Sequence, residues 1–127
     1  MTFLNFFIQD FHSIIHENYI VKTYTGESSI DSSYTSILED SIPKGYEGIL
    51  AELALDNTTS ADVTLFINNK EQGNYGFPLK ASAFPANMEG LPVLIPIPEH
   101  QKFVLKARNL SGSTTLKWRA TVVLVKK

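Results

Sequence analysis

The chain contains no cysteine. Disulfide frameworks, zinc–thiolate centres and cysteine nucleophiles are therefore excluded. It also lacks a cationic excess, since 11 Lys and Arg stand against 13 Asp and Glu for a net charge of −2. With no basic field to hold a phosphate backbone, nucleic acid is not expected as a partner. No run reaches the ~18 apolar residues of a membrane-spanning helix. The opening "MTFLNFFIQDFHSIIHENY" is apolar, but it has no Lys or Arg before position 22 and Asp10 interrupts it. No small-residue cleavage site follows, so it does not fit a secretory signal. Nucleophile elbows, phosphate loops and dinucleotide fingerprints are missing as well, and no enzymatic activity or cofactor is expected.

What is present points to one globular domain with a real core. The 127 residues are 43% hydrophobic and 19% charged, a balance that folds without staples. Phe3, Leu4, Phe7, Ile8, Phe11, Ile14 and Ile15 recur at helical spacing, which predicts an amphipathic N-terminal helix or arm over residues 1–20. Residues 21–41, rich in Ser and Thr, read as a linker with short extended pieces. The body is predicted to span residues 42–127.

Alternation of period two dominates that body. Ile49, Ala51, Leu53 and Leu55 fall on one face of a first strand, with Glu52 and Asp56 opposite. Val63, Leu65 and Ile67 follow, then an Asn68–Asn69 turn in which Asn tolerates positive φ. Later strands place Phe103, Leu105 and Ala107 inward, then Leu116, Trp118, Ala120, Val122 and Leu124. Strands separated by turn signals, with no helical crossovers, predict a mainly β, antiparallel β-sandwich of jelly-roll type.

Two segments depart from simple alternation. In "LPVLIPIPEH", residues 91–100, Val93, Ile95 and Ile97 alternate, yet Pro92, Pro96 and Pro98 each lack a ladder N–H. Prolines confined to one side of a strand predict a sheet edge. In the last strand the outward face turns apolar at Val123 and Val125. Strands covered on both sides read this way, so the N-terminal segment or a second subunit is expected over them. Phe3, Leu4, Phe7, Ile8, Phe11, Ile14, Ile15, Val123 and Val125 thus form the expected assembly interface.

Other constellations are weaker. His12 and His16 stand four apart, a metal-sharing spacing on a helix, but no third ligand accompanies them and no metal is expected. Glu39–Asp40 and Glu52 with Asp56 lack the facing-carboxylate plan of a glycosidase. The long connection 73–90 carries Tyr75, Phe77, Phe84 and Met88. Connections of that length are commonly functional, so these residues are candidates for contact with a glycan, a receptor or a partner. The alternative is that Phe77 and Phe84 point inward.

The stretches "IPKGYEGILAELALDNTTSADVTLFINNKE" (42–71) and "LPVLIPIPEHQKFVLKARNLSGSTTLKWRATVVLV" (91–125) resemble small β-sandwich proteins of bacteriophage virions. The length and single-domain plan look like the jelly-roll vertex proteins of some tailless phages. The resemblance implies a non-enzymatic structural role in the virion as a vertex, decoration or head- or tail-associated protein. Its partners would be copies of itself and other virion proteins. The alternative function is a carbohydrate- or receptor-binding module using the 73–90 loop.

Overall fold

The computed structural model describes residues 10–127. It is mainly β, with ten strands: β1 (Asp10–Ile15), β2 (Tyr19–Ile30), β3 (Thr35–Ser41), β4 (Tyr46–Leu55), β5 (Ala61–Ile67), β6 (Lys70–Glu71), β7 (Leu79–Lys80), β8 (Leu91–Ile97), β9 (Lys102–Asn109) and β10 (Thr114–Lys126). All pairings are antiparallel. One sheet runs β1-β2-β10-β4-β8; the other runs β3-β9-β5-β6, with β7 also paired to β5. From β2 to β5 the chain changes sheet at every connection, and it does so again from β8 to β10.

A single core lies between the two sheets. Leu116, Trp118, Ala120, Val122 and Leu124 of β10 are all buried, as are Val63, Leu65 and Ile67 of β5 and Phe103, Leu105 and Ala107 of β9. Each set follows the alternation read from the sequence. Trp118 is the largest of these side chains, and its Nε1 donates to Ser28 Oγ at 2.9 Å. The Asn68–Asn69 turn forms with φ of 51° and 65°, joining β5 to β6.

Three expectations are corrected. The predicted helix is not formed over its described part: Asp10–Ile15 is a strand paired residue by residue with β2, from Asp10↔Thr25 to Ile15↔Ile20. Residues 1–9, with Phe3, Leu4, Phe7 and Ile8, lie outside the described residues. Over so short a stretch, Phe11, Ile14 and Ile15 satisfy a helical and an extended pattern equally. Cross-strand pairing decides between them, with Ile14 set against Val21 and Ile15 against Ile20.

The predicted linker 21–41 is instead the two strands β2 and β3. In β2 the inward positions are Tyr24, Gly26, Ser28 and Ile30, all buried. Two of the four carry almost no side chain, so hydrophobicity does not flag the strand. Small residues fit there because the indole of Trp118 fills the space, its residue standing opposite Gly26.

The third correction concerns β4. A bulge there shifts the register, since Thr121 pairs with Glu52 but Val122 pairs with Leu50. Ala51 is the extra residue, and the phase of the strand flips across it. Leu50, Leu53 and Leu55 face the core while Ile49 is only half-buried. The sequence pattern had placed Ile49 inward with Leu53.

Strand β8 lies at the end of its sheet, as its prolines predicted, and pairs with β4 among the described residues. Pro92, Pro96 and Pro98 are exposed. A bulge also bends β8, where Val93 and Leu94 stand against Ala51 alone and Leu94 adopts φ 52°.

Candidate functional site on the outer face of the five-stranded sheet

Directly opposed residues on neighbouring antiparallel strands share a face. Applied across the five-stranded sheet, the register gives one continuous row: Ile14 opposite Val21, Val21 opposite Val123, Val123 opposite Ile49, and Ile49 opposite Pro96. Their neighbours along the strands, Val122, Leu124, Leu50, Ile95 and Ile97, fill the core. The row therefore lies on the side turned away from it. Every member is apolar, and the row crosses all five strands.

A second row continues the patch toward one end of the sheet. Tyr19 pairs with Val125, and Val125 with Glu47. Tyr19 and Val125 are each 40% exposed and Ile14 is 67% exposed. Val21, Ile49 and Val123 are half-buried. The ring of His16 stacks on Tyr19, with centroids 4.6 Å apart and planes inclined by 14°. Ile15 pairs with Ile20 on the core side of the sheet but remains 76% exposed. The covering that reaches Ile20 does not extend to it.

The other half of this outer face is covered by the chain itself. The segment entering β8 crosses over Glu52, Ala54 and Arg119. Arg119 Nη2 donates to the carbonyl of Met88 at 2.8 Å, and Ala54 is buried although its side points away from the core. Gly90 lies so near the Glu52 carboxylate that a Cβ there would collide with it. A side chain at position 90 would displace the flexible end of Glu52. Among the described residues, this segment covers the Glu52, Ala54 and Arg119 positions and nothing covers the apolar row.

Of the residues expected at an assembly interface, Ile14 and Val123 share the row, and Val125 lies beside it. Phe11 belongs to β1, opposite Tyr24 in the register. Val21, Ile49 and Pro96 complete the row and are not among the residues the sequence assigns to an interface. The sequence pattern puts Val21 in a linker and Ile49 in the core. The alternation of Val21 with Lys22 and Thr23 was the available signal for the first; the Ala51 bulge left none for the second.

The 73–90 connection is more structured than its composition implies. It holds 3-10 turns at Gly73–Tyr75 and Ala81–Ala83 and the short strand β7. Phe77 and Phe84 are buried at 5% and 3% exposure, which removes them from any contact surface. Met88 is half-buried, and Tyr75 is 43% exposed.

The polar candidates are engaged locally. Extended backbone sets residues 12 and 16 about 13 Å apart, too far for the metal-sharing geometry that a helix would give. No group of three potential ligands that could hold a metal ion occurs among the described residues. Glu39 pairs with Lys102 at 2.5 Å. Asp40 accepts the Tyr24 hydroxyl at 2.5 Å, and burial together with that bond pushes the phenol well above its usual range. Asp56 accepts the Thr58 hydroxyl at 2.6 Å and its amide at 3.0 Å, which hold its carboxyl below the ordinary value of 3.8.

No helix of the described residues is long and apolar enough to cross a membrane. No family model, curated protein or solved structure matches the chain.

Proposed function

We propose that this protein is a non-enzymatic structural subunit of a virion that works by docking against copies of itself and other virion proteins. The observation that carries this reading is the open apolar row Ile14–Val21–Val123–Ile49–Pro96. Isolated exposed apolar residues are ordinary, but a contiguous apolar patch on a small domain marks an interaction surface. Strand order supports the same reading. Leaving aside β1 and β7, the sheets run β2-β10-β4-β8 and β3-β9-β5-β6. We read that order as an eight-stranded jelly roll, an architecture used by capsid proteins and by lectins.

The alternative, a glycan- or receptor-binding module, draws on the same architecture. It retains Tyr75 as an exposed aromatic, but two of its four loop residues are in the core. The sheet face offers the larger and more continuous surface.

Light scattering tests the docking surface. Val123→Lys puts a charge in the middle of the row while the core-facing neighbours Val122 and Leu124 stay in place. The expected result is an unchanged far-UV circular dichroism spectrum and a lower particle mass than the unmodified chain. An unchanged mass would remove the sheet face as the docking surface. A glycan array on the unmodified chain, with Tyr75→Ala as its control, addresses the alternative, which predicts binding that the substitution abolishes.

A further inference from the structure

Where β5 begins, the molecule carries a recess of about 350 Å³, within the size range of ligand pockets. Three connections meet around it: the turn after β4, the 3-10 turn Ala81–Ala83 and the β9–β10 turn.

The charged part of its lining comes from the outer face of the second sheet. Asp62 of β5 is paired in register with Lys80 of β7 and with Arg108 of β9. Opposed residues share a face, so these three stand in one row as cation, anion and cation. Arg108 fixes the carboxylate from one side, with Nε 3.1 Å from Oδ1 and Nη2 3.3 Å from Oδ2. The Tyr34 ring lies 4.4 Å from the guanidinium and steadies it in turn. A carboxylate has roughly four acceptor sites. Arg108 takes one on each oxygen, and with the Tyr34 hydroxyl counted as a third neighbour at least one stays available. Lys80, on the other side, is exposed and carries no ion pair among the described residues.

The connections add hydroxyls. Ser60, Ser82 and Ser111 line the recess and are exposed. Leu110, beside Ser111, is the large apolar side chain of the lining and is 65% exposed.

We infer that this recess binds a neutral saccharide. Asp62 accepts hydrogen bonds from sugar hydroxyls, Lys80 donates to them, and the serines do either. Leu110 offers an apolar surface to the C–H face of a sugar ring. An anionic ligand fits less well, because Asp62 offsets the charge of Lys80 and Arg108 is already engaged. A wholly apolar ligand would leave Asp62 and Lys80 desolvated without partners. Lys80 and Ser82 belong to the 73–90 connection, so the inference rests on the glycan-binding alternative and gives it a defined site, which Tyr75 does not line. It is independent of the apolar row, which lies on the other sheet.

An array of neutral and anionic glycans, probed with the full chain, tests the inference. Binding to neutral glycans is expected. Asp62→Asn keeps the shape of the side chain but removes the charged acceptor, and should weaken binding about tenfold or more. Ser82→Phe fills the recess from an exposed position and should abolish binding. Tyr75→Ala should leave it unchanged. Far-UV circular dichroism checks that each variant is folded. The Asp62 and Ser82 variants are also read in Val123→Lys, so that a change in assembly, and hence in avidity, is not mistaken for a change in the site.

Absence of neutral-glycan binding, or binding confined to anionic glycans, overturns the inference. So does binding that Asp62→Asn and Ser82→Phe leave intact, or that Tyr75→Ala abolishes. If the array stays blank while Val123→Lys lowers the mass, the docking surface stands and only the saccharide site falls. Neutral-glycan binding lost in both site variants, with an unchanged mass in Val123→Lys, would do the reverse.

Discussion

The outer faces of the two sheets deal with solvent in opposite ways. On the β3-β9-β5-β6 sheet nearly every outward side chain has a partner on the same face. Arg108 Nε contacts Asp62 at 3.1 Å, and its guanidinium lies 4.4 Å from the Tyr34 ring centroid. Lys106 sits 4.8 Å over Phe66, and Thr64 Oγ1 donates to Glu71 at 2.5 Å. Asp62 holds the Arg108 guanidinium above its usual range, while burial and the nearby carboxylate push the Tyr34 phenol up. On the β1-β2-β10-β4-β8 sheet the corresponding positions are Ile14, Val21, Val123, Ile49 and Pro96, whose apolar surface has no polar network to complete. The first face is finished within one chain. The second is finished over half its width by the segment entering β8, and over the other half by nothing in the described part of the chain.

This contrast predicts that substitutions on one face cost stability and on the other cost assembly. The largest stability effect is expected at Thr64, which is fully buried beneath its own face. Thr64→Ala removes a hydrogen bond to the Glu71 carboxylate and should destabilise by about 1–3 kcal/mol, read from a urea midpoint, with the particle mass unchanged. Asp62→Ala should cost less, because surface ion pairs contribute little. It should lower the melting temperature by a few degrees at most, again without altering mass. An effect of either variant on mass, with the fold intact, would blur the division between the faces.

The smallest effect is a pH dependence near the C-terminus. Glu99 accepts the Gly45 amide and Lys127 Nζ, the latter at 2.9 Å, and both hold its carboxyl below the ordinary 4.5. Since the folded value is depressed, the stabilisation is present above pH 4.5 and lost as pH falls through the folded value. Glu99→Gln should flatten that part of the melting-temperature profile. A profile identical to that of the unmodified chain would show that these bonds do not hold the region.

Much of the core was legible because alternation is strong where side chains are large. β5, β9 and β10 carry apolar residues, mostly Leu, Val, Ile, Phe and Trp, at every second position, and little else fits that pattern. β2 was hidden because its inward positions are small where Trp118 is large. β1 was hidden because a six-residue stretch with three apolar residues does not distinguish a helix from a strand until its partner is known.

The candidate site was half legible for the same reasons. Val123 and Val125 stood out as apolar on a face that begins with Thr115, Lys117 and Arg119. Ile14 was selected for its hydrophobicity, although on a helical pattern that does not form. Ile49 depended on a bulge at Ala51, and a one-residue change of phase leaves no mark in local composition. The proline edge was readable because proline's missing N–H is a property of the residue itself, independent of context.

Multi-angle light scattering of the unmodified chain across a concentration series bears most directly on whether the open sheet face is a docking surface. The predicted result is a mass of at least twice 14.2 kDa at the upper concentrations, falling on dilution. A single 14.2 kDa species throughout the series would contradict it.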